Sequence, residues 1–254
     1  MWGVVPAAGQ WSRIQPLAFS KELLPVGSRH DGDAERPRAV SEYLVERLVL
    51  GGADKICFVI SPGKSDILSY YGGGVFSASV FYSVQPSPAG LCDAIFRALP
   101  LIEPHEPVLI GLPDTIWFPA DALRQLPNDG LSFLLFPVDR PELFDAVIVD
   151  DDGSVREIQV KSPHPSSQWV WGAFKMPGAV LRELHRLWIA RSCRDEYVGT
   201  LVNAWIAAGG HARAVRAGTS YVDVGTVKGY REAIKLLSDP EVAYLCESSS
   251  SATR

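Results

Sequence analysis

Cysteine is scarce in this sequence, and no stretch of it is apolar enough to span a bilayer. The four cysteines among 254 residues are widely separated and form no Cys-x-x-Cys pair, so neither a disulfide framework nor a thiolate metal site is indicated. No window approaches the roughly 18 consecutive apolar residues that cross a membrane, and the N-terminus lacks the features of a secretory signal. We therefore expect free thiols, no membrane partner and a cytoplasmic location.

Basic residues are not in excess either. Lys and Arg number 24 against 29 Asp and Glu, which gives a formal net charge of −5. A nucleic-acid-binding protein usually carries a basic stripe, so a nucleic acid polymer is not an expected partner. A few well-placed cations would still suffice to bind a single nucleotide. The composition, 47% hydrophobic and 21% charged, is that of an ordinary globular protein and excludes a disordered or fibrous chain.

The first half of the sequence alternates strand-like apolar runs with segments of helical spacing. Strands are predicted at 4–8, 55–60, 80–84, 108–112 and 131–138, and helices at 37–50, 64–70, 90–99 and 120–126. The second half adds strands at 146–150, 155–160, 169–176, 212–216 and 221–224, and helices at 178–191, 196–208 and 227–237. This order predicts an α/β fold with a mixed, mostly parallel, Rossmann-like sheet, helices on both faces and a small appended lobe.

The loops after the predicted parallel strands are the expected place for a site, because ligands bind beyond the carboxyl ends of such strands. These ends are followed by Gly9, Ser61, Gln85 and Pro113.

A turn of small residues follows the first predicted strand. The Ala-Ala-Gly turn at 7–9 would let backbone N–H groups approach a phosphate, and Arg13 and Lys21 could neutralise a polyphosphate. The alternative is a plain tight turn with two solvated cations. Gly-Lys-Ser at 63–65 imitates the end of a P-loop, but Phe58 stands where that motif needs glycine, so a strand-to-helix turn is predicted there.

These segments resemble the signature of the sugar-1-phosphate nucleotidyltransferases, and in particular of the glucose-1-phosphate thymidylyl- and uridylyltransferase branch. The opening matches with Gly9, Ser-Arg at 12–13, Pro-Leu at 16–17 and Lys-Glu-Leu-Leu-Pro-Val at 21–26. Further matches follow in order, namely Gln-Pro-Ser-Pro-Ala-Gly-Leu at 85–91, Pro-Asp-Thr at 113–115, Gln-Val-Lys-Ser-Pro at 159–163 and Tyr-Val-Asp-Val-Gly-Thr at 221–226. The resemblance spans roughly residues 2 to 237.

The resemblance implies a Mg²⁺-dependent transfer of a nucleotidyl group from dTTP or UTP to a sugar-1-phosphate or related phosphorylated acceptor, with release of pyrophosphate. It assigns Asp114 and Asp223 to the metal, and catalytic roles to Arg13, Lys21, Asp114 and Lys161. The nucleotide would contact Ala8, Gly9, Gln10, Arg13, Lys21, Gln85, Gly90 and Asp114, and the acceptor would contact Asp145, Lys161 and Gly172.

The sequence has no internal repeat and no long linker, which favours one continuous domain over residues 1–240. Its nucleotide-binding part would cover 1–138, and its acceptor-binding part, with the last metal ligand, would cover 139–240. A Ser-rich flexible tail is expected at 241–254. A homo-oligomer is also expected.

Several positions depart from the family pattern. Trp11 replaces a glycine, Val160 replaces a glutamate that hydrogen-bonds sugar hydroxyls, Asp145 stands near an aromatic-glycine pair, and Pro113 removes a backbone donor. The nucleotide and metal features are therefore better kept than the acceptor pocket, and we expect an acceptor other than a standard hexose-1-phosphate. Two alternatives are a non-catalytic relative that binds a nucleotide or nucleotide sugar, and a nucleotidyltransferase acting on a non-sugar phosphate or phosphonate.

Overall fold

The computed structural model describes residues 1–9 and 13–238. Within them the strands are β1 (Trp2–Pro6), β2 (Pro25–Asp31), β3 (Ala34–Ala39), β4 (Lys55–Ile60), β5 (Gly74–Val75), β6 (Ala78–Val84), β7 (Pro107–Gly111), β8 (Thr115–Phe118), β9 (Leu131–Pro137), β10 (Ala146–Val149), β11 (Val155–Gln159), β12 (Trp169–Pro177), β13 (Ala212–Val215) and β14 (Ser220–Asp223). The α-helices are α1 (Val40–Leu50), α2 (Ser65–Tyr71), α3 (Gly90–Phe96), α4 (Gly178–Ala190), α5 (Val198–Ala207) and α6 (Val227–Leu237). No helix in this part of the chain is long and apolar enough to cross a membrane.

Ten of these strands form one mixed sheet. Its order is β11-β10-β12-β7-β1-β4-β6-β5, and β9 pairs with both β12 and β13. The central strands β7, β1, β4 and β6 run parallel to one another, whereas β12 runs antiparallel to β7, β9 and β10. The predicted mixed sheet with a mostly parallel centre is therefore confirmed.

The central strands are buried on both faces, which explains why they are apolar without alternation. Neighbours on β1 enter opposite layers, because Val4 belongs to one apolar cluster and Val5 to the other. Cys57 and Phe58 on β4 divide in the same way. Helices α3, α4 and α5 cover the first face, and α1 and α2 cover the second, as predicted.

Two local predictions are wrong in detail. The helix predicted to begin at Pro37 begins at Val40, because residues up to Ala39 belong to β3 of an unpredicted hairpin with β2. The helix predicted at 120–126 is a 3₁₀ turn at Ala122–Gln125. The division at residue 138 stays a prediction, and the predicted tail at 241–254 lies outside the described residues.

Strands β8 and β14 form a separate two-stranded sheet. Their apolar side chains pack with α1, α6 and β2 in a third cluster, which contains Val26, Tyr43, Ile116, Phe118, Val224 and Ala233. This packing fixes the two strands beside the carboxyl ends of the central sheet, where the candidate site lies.

Candidate active site

The loops that follow the parallel strands meet at one end of the sheet. Ala7, after β1, donates a backbone hydrogen bond to Val59 of β4 at 2.8 Å, and Gln85, after β6, donates one to Ile60 at 2.9 Å. Asp114 follows β7, which pairs with β1 on the other side. The structure therefore brings the turn at 7–9, Gln85 and Asp114 to the same end of the sheet.

Lys21 and Asp114 form an ion pair at this end. Lys21 Nζ lies 2.6 Å from Asp114 Oδ2, and both side chains are less than a fifth exposed. Burial by itself would lower the pKa of Lys21, but Asp114 together with the charges of Glu22 and Asp223 outweighs it and raises that pKa. Burial likewise would raise the pKa of Asp114, yet Lys21 together with a backbone hydrogen bond and the charge of Lys64 outweighs it and lowers that pKa. Both groups therefore stay charged near neutral pH.

Asp223 reaches the same region through the pairing of β14 with β8. It lies opposite Thr115 in this antiparallel pair, and the backbone N–H of Val224 donates to the Asp114 carbonyl at 2.8 Å. Arg13 Nη2 lies 2.6 Å from Asp223 Oδ2, and its side chain is 65% exposed. Asp114 and Asp223 are more than a hundred positions apart in the sequence. Each is thus paired with a cation from the segment between β1 and β2.

Gly225 lies between these two carboxylates. A Cβ atom at this position would lie 2.8 Å from Asp223 Oδ1 and 3.3 Å from Asp114 Oδ2, so both acids border the same small space. Carboxylate oxygens suit Mg²⁺, which usually keeps water and phosphate oxygens as its other ligands. No larger group of His, Cys, Asp and Glu in the described ranges is arranged to hold a metal. The donor set therefore fits a cation shared with phosphate.

Lys64 and Glu22 form a buried pair that the sequence analysis did not identify as functional. The predicted strand-to-helix turn is confirmed, but Lys64 Nζ donates to both Glu22 oxygens, at 2.7 and 2.8 Å, and to the Ala7 carbonyl at 2.7 Å. Burial raises the pKa of Glu22 against the opposing effect of Lys64, and lowers the pKa of Lys64 against that of Glu22. The pair fastens the turn at 7–9 to the segment that carries Lys21.

Gln85 and Gly90 occupy a loop between β6 and α3. Gln85 is 4% exposed, and its Nε2 lies 3.1 Å from the Gly90 carbonyl. Gly90 has a φ of +84°, and a Cβ atom there would lie 2.7 Å from Glu196 Cα. The close approach of the Glu196 backbone therefore requires glycine whether or not a base binds nearby. The nucleotide contacts of Gln85 and Gly90 stay predictions.

Lys161 and Asp145 lie together, and their contact with an acceptor stays a prediction. Lys161 Nζ is 3.5 Å from Asp145 Oδ1, and its backbone N–H donates to the same oxygen at 3.2 Å. Lys161 is half exposed, whereas Asp145 is buried. The side chain of Val160 packs against α5, because a Cβ atom on Gly199 would lie 2.5 Å from Val160 Cγ2.

Gly172, the third predicted acceptor residue, lies at an irregularity in the pairing of β12 with β9. A Cβ atom there would lie 2.6 Å from ring carbons of both Phe136 and Tyr221. Glycine at this position therefore makes room for two aromatic rings. Its contact with an acceptor stays a prediction.

Tyr221 lies close to the candidate metal acids Asp114 and Asp223 and to Asp145 of the candidate acceptor subsite. No role was predicted for it from the sequence. Its ring meets that of Phe144 edge-on, with centroids 5.5 Å apart. Burial, followed by the charges of Asp223, Asp114 and Asp145, raises the pKa of Tyr221 well above its usual value. The sequence signal that could have indicated a functional role for Tyr221 is its position two residues before Asp223. Tyr221 thus lies between the candidate metal acids and the candidate acceptor subsite.

Two residues of the predicted site cannot be placed. Gln10, assigned to the nucleotide, and Trp11, a departure from the family pattern, lie outside the described residues, so their roles stay predictions. Ala8 is buried and Gly9 is exposed, with no atom of the described residues within 4 Å of where a Cβ on Gly9 would lie.

A parallel-centred α/β sheet with two acid–cation pairs beside a small-residue turn is suited to binding phosphate groups and a divalent cation. Residues 2–239 match the family model for nucleotidyl transferases. The chain belongs to this family, as the resemblance implied.

Individual relatives agree with this assignment. The chain is 28% identical over 178 residues to the glucose-1-phosphate thymidylyltransferase of Neisseria meningitidis, an alignment covering 66% of this chain and 58% of that enzyme, which is less than two thirds of its length. It is 26% identical over 250 residues to the UTP–glucose-1-phosphate uridylyltransferase AglF of Haloferax volcanii, covering 94% and 97% of the two chains.

A solved structure supports the fold. A Bacillus anthracis protein assigned as a glucose-1-phosphate thymidylyltransferase superimposes with a TM-score of 0.78 at 24% identity, covering 94% of this chain and 96% of that one. The Rossmann-like fold of the nucleotide-diphospho-sugar transferases, expected from the sequence, is therefore confirmed.

Proposed function

We propose that this chain transfers a nucleotidyl group from dTTP or UTP to a sugar-1-phosphate or a related phosphorylated acceptor, in a Mg²⁺-dependent reaction that releases pyrophosphate. The observation that carries the proposal is the convergence of Asp114 and Asp223 on the space beside Gly225, with Lys21 and Arg13 bound to them. Relatives named as thymidylyl- and uridylyltransferases support a pyrimidine nucleotide.

The reaction asks the protein mainly to position and to neutralise charge. An acceptor phosphate oxygen forms a bond to the α-phosphorus, and the bond from that phosphorus to the pyrophosphate oxygen breaks. Asp114 and Asp223 would hold Mg²⁺, which would neutralise negative charge on the triphosphate. Lys21 and Arg13 would then exchange their carboxylate partners for phosphate oxygens of the triphosphate and of the departing pyrophosphate.

Lys161 and Asp145 are the residues that would bind the acceptor. Lys161 is half exposed, and its Nζ has two long contacts, each of 3.5 Å, with Asp145 Oδ1 and the Leu143 carbonyl, so its ammonium can turn toward an acceptor phosphate. The apolar side chain of Val160 packs toward Gly199 and offers no hydrogen bond to a sugar hydroxyl. These contacts favour a less hydroxylated sugar phosphate, and they also support a second candidate, a non-sugar phosphate or phosphonate.

A matrix of nucleotides and acceptors tests the proposal. Four nucleoside triphosphates and dTTP are each combined with a panel of sugar-1-phosphates, amino-alcohol phosphates and phosphonates, and pyrophosphate release is measured with Mg²⁺ and with EDTA. We expect release with dTTP or UTP, its loss in EDTA, and a weaker rate with glucose-1-phosphate than with another acceptor. Release with glucose-1-phosphate as fast as with any other acceptor would refute the altered acceptor. Nucleotide binding without release for any acceptor would identify a non-catalytic relative.

Gly225→Ala tests the space between the two acids. The added methyl group would crowd both carboxylates, so we expect pyrophosphate release to fall by about 10²-fold or more, since small displacements of catalytic groups have effects of this size. Gly130→Ala is the matched control, because its methyl group would meet no atom of residues 1–9 and 13–238 within 4 Å. Unfolding by urea should change little in either variant. Full activity of Gly225→Ala would show that the space is not used.

A further inference from the structure

The amide group of Gln85 is held from one side by Asp93. Gln85 Nε2 donates to Asp93 Oδ2 at 2.8 Å and to the Gly90 carbonyl at 3.1 Å. Both side chains are buried, since Gln85 and Asp93 are 4% and 6% exposed. Arg97 fixes Asp93 in turn with two hydrogen bonds, at 3.2 and 2.9 Å. Asp93 lies eight positions after Gln85, outside the motif at 85–91.

These contacts decide which atom Gln85 can offer to a ligand. An amide can turn over and present either its oxygen or its NH₂ group. In the reversed orientation, however, the Gln85 oxygen would face the Asp93 carboxylate and the Gly90 carbonyl, which are both acceptors. Because that arrangement is repulsive, both NH₂ hydrogens stay engaged and Oε1 is the atom left over. No residue within 1–9 and 13–238 donates a hydrogen bond to it.

We propose that Asp93 is a specificity-determining positioning residue, which makes Gln85 present a hydrogen-bond acceptor, and never a donor, to the nucleotide base. The inference rests on the proposed function, in which Gln85 faces the base. Uracil and thymine carry a proton on N3 and can donate it to the Gln85 oxygen. Cytosine has a lone pair at N3, which would face that oxygen with no proton between them.

Gln85 alone would not separate these bases, because a freely turning amide can serve N3 of either one. Asp93 removes that freedom, so the wrong base leaves two acceptors unpaired in a buried place. The loss of such a hydrogen bond corresponds to a preference of about 10- to 100-fold. Asp93 therefore converts an ambiguous residue into one that selects uracil or thymine over cytosine.

Asp93→Asn tests this assignment. The asparagine amide can present its NH₂ group to the Gln85 oxygen, so only the uncharged Gly90 carbonyl still opposes the turned amide, and Gln85 can pair with either pyrimidine. Dissociation constants for UTP and CTP are measured by calorimetry with Mg²⁺ and without acceptor. We expect the wild type to prefer UTP by about 10-fold or more and Asp93→Asn to lose most of that preference. Asp93→Glu, which keeps the carboxylate, should retain it. Asp129→Asn, at an exposed position far along the chain, should match the wild type.

A second measurement needs no variant. The triphosphate of 3-methyluridine lacks the N3 proton, and the wild type should bind it as weakly as CTP. Should Asp93→Asn not fold, Asp93→Ser replaces it, because the short hydroxyl cannot reach Gln85 in the same way. Equal binding of UTP and CTP by the wild type, or an undiminished UTP preference in the folded variant, would overturn the proposal. Selective binding without pyrophosphate release for any acceptor would defeat the proposed function and leave this inference standing.

Discussion

Asp114→Asn is expected to lower pyrophosphate release by about 10³-fold or more. The substitution removes one of the two carboxylates beside Gly225, and charge stabilisation by a bound divalent cation contributes several kcal/mol to such reactions. It also removes the charge that Lys21 contacts at 2.6 Å. The effect is measured as kcat and as the Mg²⁺ concentration for half-maximal rate, and we expect both to change.

The control for this substitution is Asp129→Asn, whose side chain is 71% exposed and has only a 3.9 Å contact with Arg213. It makes the same chemical change outside the site and should leave the rate within about twofold. Circular dichroism and thermal unfolding verify that Asp114→Asn is folded. A folded Asp114→Asn protein with more than a tenth of the wild-type rate would remove Asp114 from the metal site.

Local sequence signals were sufficient for most of the sheet. Strands β1, β4 and β7 are apolar because both of their faces are covered, so the runs could be recognised without a partner. Strand β8 could not be recognised from the sequence, because its four residues pair with β14 about a hundred positions away. The hairpin of β2 and β3 was missed although Asp-Gly at 31–32 is a turn signal. The helical spacing after Pro37 instead predicted a helix that begins at that residue, within what is strand β3.

In the candidate site, too, some residues could be predicted from the sequence and others could not. Arg13, Lys21, Asp114 and Asp223 could be selected because they stand in motifs that occur in a fixed order, and the structure places them together. Asp93 stands in no such motif, and its importance comes from one hydrogen bond. Periodicity does not encode a contact of this kind, since it depends on how the loop after β6 folds back on α3.

Lys64→Met is expected to lower the free energy of unfolding by about 3–5 kcal/mol at pH 8, because it leaves a buried carboxylate without its partner. Glu22 is 1% exposed, and Lys64 Nζ contacts both of its oxygens. The loss is measured by urea denaturation. Lys235→Met, at an exposed position on α6, should change stability by less than about 0.5 kcal/mol.

The loss of unfolding free energy in Lys64→Met should depend on pH. Burial raises the pKa of Glu22 even with Lys64 present, and without Lys64 that pKa should rise further. A group with a raised pKa in the folded state binds its proton more tightly there than in the unfolded state, so stability falls as pH rises through the folded pKa. Lys64→Met should therefore be less destabilised at pH 5 than at pH 8.

Glu22→Gln in the Lys64→Met background tests whether the uncompensated charge of Glu22 causes the loss of stability. A neutral amide and an apolar chain leave no buried charge, and replacing a buried ion pair by neutral groups is often close to neutral for stability. We therefore expect the double variant to recover most of the stability lost at pH 8 and to lose the pH dependence. Pyrophosphate release should not recover in parallel, because the Ala7 carbonyl still lacks its bond to Lys64. A double variant no more stable than Lys64→Met would show that packing, not the uncompensated charge, causes the loss.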